Sequence, residues 1–550
     1  MHTTMKYKVL NAITLGVALL FPSCSDYLDM TPTDGASDKV IWSNVTNAEL
    51  AINNFYHYIS DLGTFGEQQS SAGMTEGFTD IFKYGSMTYN AYMYIPNELA
   101  YGGTVLTPNY VSTYLGCWSD RYKWLRYINQ GLAYLDKYGS GISETDKLRL
   151  EAEMRFFRAM VYHDLIKRYK DVILYDKDLS KIAIDKALNS EKEGWDMVEA
   201  DLTFAAKNLP VSKSANGRVS SGAAWAFMTR AMLYAERWDA VKTAALEVEK
   251  MGYELTPQYK DAFTSNSVEA ILQYSYDKAG MTQGFDNYYS PKGDAGNVLS
   301  GGYGTPTQEM VESFELATGG FPDWTPWHDL SGTYETPPYD KLEPRFHATV
   351  LYNGSSWKGR SIEPYIGGKD GWAAWRTDPV PDGRTTTGYY LRKLVDEKHN
   401  FDEIQGGTQP WVAIRFAEVL LNYAEACYRT NDPINANAAI RRIRTRVALP
   451  YKDLTGDNLM KAIRQERKVE LAYEGLYYWD MRRWGLAETA FTGLRVHGFK
   501  IENKGDGTFK YTYVDCDGQN RNFPKKMYRI PLPQDELQAN SLVKQYPEWQ

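Results

Sequence analysis

Arg415-Phe416-Ala417-Glu418-Val419-Leu420-Leu421-Asn422-Tyr423-Ala424-Glu425-Ala426 is the stretch on which the fold reading turns. Across Trp411 to Cys427, Ile414, Ala417, Leu421 and Ala424 recur at intervals of three and four, so one face is apolar with a helical period. A second stripe follows between Asn435 and Val447: Ala436, Ile440, Ile443 and Val447. The same plan lies upstream. An Ala-rich helix over Gly217 to Arg237 is followed by Trp238-Asp239-Ala240-Val241, which opens a partner helix. Residues 221–250 and 411–447 are thus expected to be helix, short turn and helix, with small residues where the helices cross. They look like degenerate tetratricopeptide units without the full consensus of that repeat. Glu151 to Arg168 adds another helix, with Met154, Phe157, Val161 and Leu165 on its core face.

The middle of the chain differs. Residues 280–410 are rich in Gly, Pro, Asn and Trp and carry few long apolar periods. A loop region of that length is functional or disordered, and its aromatics argue against disorder. Towards the C-terminus, Lys500 to Val514 alternates around Lys504-Gly505-Asp506-Gly507, which predicts a hairpin. The expected fold class is therefore mostly α: tetratricopeptide-like helix pairs as scaffold, a loop-rich second half and small β-hairpins.

The chain has 550 residues with 43% hydrophobic and 24% charged side chains, ordinary globular values, but 14% aromatics, including 42 Tyr and 15 Trp. Such rings join a flat apolar face to a polar handle and suit either a core or a binding surface. The formal charge is −8, and removal of residues 1–23, which hold Lys6 and Lys8 and no acid, would take it to −10. That balance disfavours nucleic acid as a partner. Cys24, Cys117, Cys427 and Cys516 form no CxxC and no zinc-ligand spacing, and the seven His show no HExxH or paired spacing. No metal or cofactor is expected.

Lys6 and Lys8 precede a thirteen-residue apolar run, Val9 to Phe21. The run is too short to span a bilayer but suits a signal peptide. Leu19-Leu20-Phe21-Pro22-Ser23-Cys24 resembles a relaxed bacterial lipobox, in which the cysteine is acylated and becomes the new N-terminus. The expected organisation is 1–23 signal peptide, 24–45 lipidated tether leading into the fold near Trp42, and 46–550 a single ligand-binding domain.

Several segments together resemble the SusD-like (RagB/SusD) family of outer-membrane lipoproteins. Cys24-Ser25-Asp26-Tyr27-Leu28-Asp29 resembles its mature start. Glu153-Met154-Arg155-Phe156-Phe157-Arg158-Ala159 with Tyr162 and Leu165, and Gly217-Arg218-Val219 with Arg230-Ala231-Met232-Leu233-Tyr234, resemble its first two signatures. The stretch from Arg415 to Ala426 is the strongest match. Glu466-Arg467-Lys468-Val469-Glu470-Leu471, Trp479-Asp480-Met481-Arg482-Arg483-Trp484 and Ile530-Pro531-Leu532-Pro533 follow in family order. One departure is Tyr169-Lys170-Asp171-Val172-Ile173, where the family often has Tyr-Gly-Asp/Gly-Val-Pro. The resemblance implies four tetratricopeptide-like units. It also implies an outer-membrane, lipid-anchored protein that faces the cell exterior, binds oligosaccharide or polysaccharide and caps a SusC-like TonB-dependent transporter. It implies no enzyme activity.

Glu466, Glu470 and Glu474 are spaced to share one helix face, and paired carboxylates are what glycoside hydrolysis requires. Ten arginines between Arg415 and Arg483 favour salt bridges instead, which hold carboxylates ionised and unfit as general acids. Asp515-Cys516-Asp517-Gly518-Gln519-Asn520 lacks the ligand order of a calcium loop, and Gly301-Gly302-Tyr303-Gly304 lacks the Lys-Ser/Thr of a phosphate loop and is expected to be a flexible loop. The aromatic clusters say more. Tyr84, Tyr89, Tyr92, Tyr94 and Tyr101 share one stretch without helical period, and Trp324, Trp327, Trp357, Trp372 and Trp375 fall within 52 residues. A pyranose stacks its C–H faces on such rings while its hydroxyls bond to polar neighbours, for which Asn90, Asn97, Asp323 and Arg376 are candidates. The expected ligand-binding residues are Tyr84, Tyr89, Tyr92, Tyr94, Trp324, Trp327, Trp372 and Trp375. Two other functions stay open: a surface glycoside hydrolase, and a channel lid with no ligand site of its own.

Overall fold

The computed structural model describes residues 37–61, 73–85, 91–181, 185–211, 217–265, 267–294, 301–374, 384–404 and 406–550. Its scaffold is helical. The helices Trp118–Tyr138, Glu144–Tyr169, Glu191–Asn208, Ser221–Tyr234, Trp238–Lys250, Phe416–Arg429 and Pro433–Arg446 stack side by side in chain order, and Gly456–Glu470 closes against Phe416–Arg429. Local chemistry sets their starts. Ser143 and Ser220 accept hydrogen bonds from backbone N–H groups of the first turn, Ser190 forms a reciprocal capping box with Glu193, and Asp432 caps a helix that opens on Pro433.

Met154, Phe157, Val161 and Leu165 are all buried, as their spacing predicts. The helix that carries them is longer than expected, and it is buried nearly all round from Leu150 onward because other helices cover it on several sides. Its inward polar groups are paired: Arg158 with Asp201 at 2.7 and 2.8 Å, and Asp164 with Arg121 at 2.8 Å. At its end Lys170 adopts φ 63° and ψ −78°, a backbone conformation that a residue with a Cβ rarely takes.

Two expectations change. Trp411–Arg415 is a strand and not the first turn of a helix; it pairs antiparallel with Ala270–Tyr274, and the helix begins at Phe416. Val412 and Ile414 are β-branched, and all five residues are buried, so the short run behaves as an interior strand. Conversely, Ala91–Tyr101 is a helix despite Pro96, with Ile95 and Leu99 buried one turn apart. There tertiary packing overrides the local breaker signal.

The hairpin pairs His497–Asn503 with Phe509–Asp515, and its turn holds Gly505 and Gly507 at positive φ. It is the centre of a wider ribbon. Tyr511 exchanges backbone hydrogen bonds with Thr333 at 2.8 and 2.9 Å on one edge, while Phe499 N–H donates to Thr387 C=O at 2.8 Å on the other. Other short antiparallel pairs complete the loop half: Phe82–Tyr84 with Gly304–Pro306, Val350–Leu351 with Tyr390–Leu391, and Ser356–Trp357 with Arg360–Ser361. The C-terminal segment returns to the scaffold. Ile530 N–H donates to Arg168 C=O at 2.9 Å, and the Tyr546 hydroxyl donates to Tyr169 C=O at 3.0 Å. Among the described residues no helix is long and apolar enough to cross a membrane.

Candidate ligand-binding site

The aromatic residues singled out from the sequence separate into core and surface. Tyr84 belongs to the core. It is 1% exposed, its hydroxyl accepts from Met74 N–H at 2.6 Å and lies 2.7 Å from the Tyr289 hydroxyl, and its ring packs on Gly73 and Gly77. The strand pairing with Gly304–Pro306 turns it inward, so it is not presented to a ligand. Asn97 is buried with it, donating to Tyr84 C=O at 3.1 Å and accepting from Lys83 at 2.6 Å. Tyr101 donates to Asp517 at 3.2 Å, also inside. Tyr92 and Tyr94 lie in the helix Ala91–Tyr101, but their side chains are outside the described part, as are Tyr89, Asn90, Trp375 and Arg376 altogether.

The tryptophans divide across the two edges of the hairpin. Beside the Phe509–Asp515 strand, Trp324 is 5% exposed and meets Trp327 edge to face at 5.8 Å. Trp327 is only half-buried, held by its Nε1–H to Glu335 C=O at 3.0 Å. Phe321 and Tyr334, in the same loop, are exposed. Trp324 therefore serves as the base on which Trp327 stands. Asp323 is exposed there and caps Thr325 N–H at 3.0 Å.

On the other edge, Trp372 is half-buried and bridges to Thr385. Gly85 N–H donates to Tyr303 C=O at 3.0 Å, and Gly85 packs against the backbone of Gly302 and Arg384. Tyr288 and Tyr303, both half-buried, meet at 5.1 Å. The end of the Tyr-rich stretch and Trp372 are thus brought to one region through Arg384 and Thr385, whereas Trp324 and Trp327 stand apart. Tyr288, in the short helix Phe285–Tyr289, and Tyr303 were not legible as a pair because no period links them across the chain between. Gly304, expected in a flexible loop, is instead a buried strand residue against which Phe82 packs.

The three glutamates form no catalytic pair. Glu466 and Glu470 end the helix Gly456–Glu470, and Glu474 lies beyond it, after a turn in which Tyr473 has φ 64°. Glu470 bonds Arg415 at 2.6 Å and Arg446 at 2.5 Å; Glu466 bonds Arg345 at 2.8 Å and Arg444 at 2.5 Å. Glu474 bonds Arg415 and Lys393, both at 2.7 Å. Burial alone would raise the pKa of Glu470, but Arg446, Arg415 and Arg345 outweigh it and hold the carboxyl well below the usual range. Burial likewise opposes, and Arg415 and Lys393 overcome it, at Glu474. Arg345 and Lys393 enter this network from the loop half, so it ties the two halves together. Asp517, read as part of a degenerate calcium loop, is occupied by Arg521 at 2.9 Å.

Comparison with known proteins agrees with this architecture. The family model described as the SusD family matches residues 268–549. A SusD-like protein of Bacteroides ovatus is 25% identical, over 100% of this chain and 96% of that one. The crystal structure of a SusD-like protein from Bacteroides fragilis superposes with a TM-score of 0.76 at 28% identity, covering 93% of this chain and 98% of that one. A second Bacteroides fragilis structure, a SusD-like carbohydrate binding protein, gives a TM-score of 0.76 at 23% identity over 92% of this chain and all of that one.

Proposed function

The chain belongs to the SusD family, and from that premise we propose that it is a non-catalytic, lipid-anchored protein of the outer cell surface that captures oligosaccharides and passes them to a SusC-like TonB-dependent transporter. Residues 46–550 act as one glycan-binding unit in this reading, tethered through Cys24.

The observation that carries it is the pairing of half-exposed rings with fully used carboxylates. Trp327, Trp372 and the Tyr288–Tyr303 pair offer apolar faces beside polar backbone, the combination a sugar ring needs. The only carboxylates singled out as acid and base are locked to guanidinium groups. A similar solved structure is of a carbohydrate binding protein. The test is binding of the purified chain to a panel of plant, host and microbial polysaccharides, with reducing ends assayed in parallel. Retention by at least one polysaccharide without release of reducing ends is expected. Release of reducing ends by the purified protein would establish a hydrolase instead.

A further inference from the structure

Trp372 and the Tyr288–Tyr303 pair come from segments distant in the chain, and their spacing depends on what joins those segments. Tyr288 and Tyr303 sit on two limbs of one loop. Tyr303 N–H donates to Tyr288 C=O at 2.9 Å, Gly302 N–H to Ser290 C=O at 2.9 Å and Gly301 N–H to Asn287 C=O at 2.7 Å, so the limbs are tied together. Asp294 follows Ser290 in the short turn Lys292–Asp294. Trp372 belongs to another segment, two residues after Asp370.

Arg360 joins the two. The hairpin of Ser356–Trp357 and Arg360–Ser361 carries it between them. Its Nε–H and one Nη2–H donate to Asp294 Oδ1 at 3.0 and 2.8 Å. The other Nη2–H and one Nη1–H donate to the two oxygens of Asp370, both at 2.7 Å. The remaining Nη1–H donates to Ser361 C=O at 3.1 Å. All five guanidinium donors are thus used. The side chains of Asp294 and Asp370 are 8% and 0% exposed, so both carboxylates are buried against this one cation.

Asp370 also accepts from Gly293 N–H and Glu363 N–H, both at 2.9 Å, and so touches the Tyr-bearing segment directly. A Cβ on Gly293 would lie 2.6 Å from Asp370 Oδ1 and 2.7 Å from Arg360 Nη2, so any side chain there would force the ion pair apart. From Asp370 the restraint passes to Trp372. Asp370 C=O accepts from the Tyr390 hydroxyl at 2.5 Å, and that hydroxyl accepts from Thr385 N–H at 3.1 Å. Trp372 N–H donates to Tyr365 C=O at 3.3 Å, and Ala373 N–H donates to Thr385 C=O at 3.0 Å.

We propose, on the glycan-binding reading above, that Arg360 is a positioning residue of that site. By holding Asp294 and Asp370 together it sets the spacing between Trp372 and the Tyr288–Tyr303 pair, and so selects the saccharide that reaches both. A planar guanidinium grips two carboxylates along separate edges, whereas a lysine ammonium is a point charge with three donors and cannot hold both in one geometry. Rings that stack a sugar must match the spacing of its residues, and a site about 1 Å too loose loses its contacts.

The test runs affinity electrophoresis of the full chain in laminarin, xylan, glucomannan, pullulan and gastric mucin, then titration calorimetry with the polysaccharide that retains it. Arg360→Lys should weaken binding about tenfold, as Trp372→Ala does. The double variant should bind no more weakly than Trp372→Ala alone, because spacing has no effect once one of the rings is gone. A purely structural ion pair would lower the melting temperature without this coupling. Should Arg360→Lys fail to fold, Gly293→Ala keeps every charge, opens the same junction, and should show the same loss and the same coupling to Trp372. Unchanged affinity in both variants, or losses that multiply in full with that of Trp372→Ala, would overturn the role of Arg360 and leave glycan binding intact. A parent chain retained by none of the five polysaccharides would overturn the glycan-binding reading and the role of Arg360 with it.

Discussion

Arg415 Nη1 and Glu470 Oε1 lie 2.6 Å apart with neither side chain exposed at all. Arg446 and Arg345 reach the same carboxylate, so neutralising it strands several buried cations. Glu470→Gln should therefore destabilise the protein by about 3–5 kcal/mol, read as a lower melting temperature. Because the folded pKa is depressed, the stability this group contributes is present above its unfolded pKa and is lost as the pH falls through the folded value. The parent should lose stability progressively below about pH 4.5, and Glu470→Gln should lose less over that range. A variant that melts like the parent would refute the structural role.

Trp327→Ala and Trp372→Ala should each weaken glycan binding by about tenfold, the cost of on the order of 1–2 kcal/mol for a lost stacking ring, with little change in melting temperature. Trp324→Ala should instead cost about 3–5 kcal/mol of stability, because that ring is interior. Titration calorimetry beside thermal melts separates the two outcomes. Equal binding by both surface variants would move the site towards the Tyr288–Tyr303 pair.

Lys170→Gly should stabilise the chain by on the order of 1 kcal/mol by relieving the positive φ. Urea denaturation measures this. A destabilised variant would mean that the lysine side chain makes compensating contacts.

Cys24→Ala should release the protein from the membrane fraction, since anchoring by acyl chains contributes about 0.8 kcal/mol per buried methylene. Retention of the variant on washed membranes would exclude the lipid anchor.

A partner barrel should co-purify. A lipid-anchored protein without a membrane span cannot itself carry a glycan through the membrane, and a stable lid requires an interface above about 1,200 Å². Mild detergent extraction with a tag on this chain should recover one large barrel protein in near-equal amount. Recovery of this chain alone, across several detergents, would leave a free-standing surface binder.

The sequence by itself determined the helical scaffold. A stripe such as Met154, Phe157, Val161 and Leu165 is a local signal: each spacing is set by the turn of one helix, so burial can be read before anything is packed. The hairpin around Gly505 and Gly507 was legible for the same reason, because turn glycines and alternation are neighbours in the chain. The arginine pairing of Glu466 and Glu470 was legible in kind, but Arg345 and Lys393 come from more than seventy residues away and left no pattern near the glutamates. Trp411–Arg415 reads as helix in the sequence because four apolar residues ahead of Arg415 have no period of their own, and its strand partner lies more than a hundred residues upstream. Tertiary structure alone decided which rings face solvent. Tyr84 and Trp324 look like Trp327 and Trp372 in the sequence, and they differ in what the fold packs against them: Tyr289, about two hundred residues away in the chain, closes on Tyr84, while Trp324 is buried beneath its neighbour Trp327.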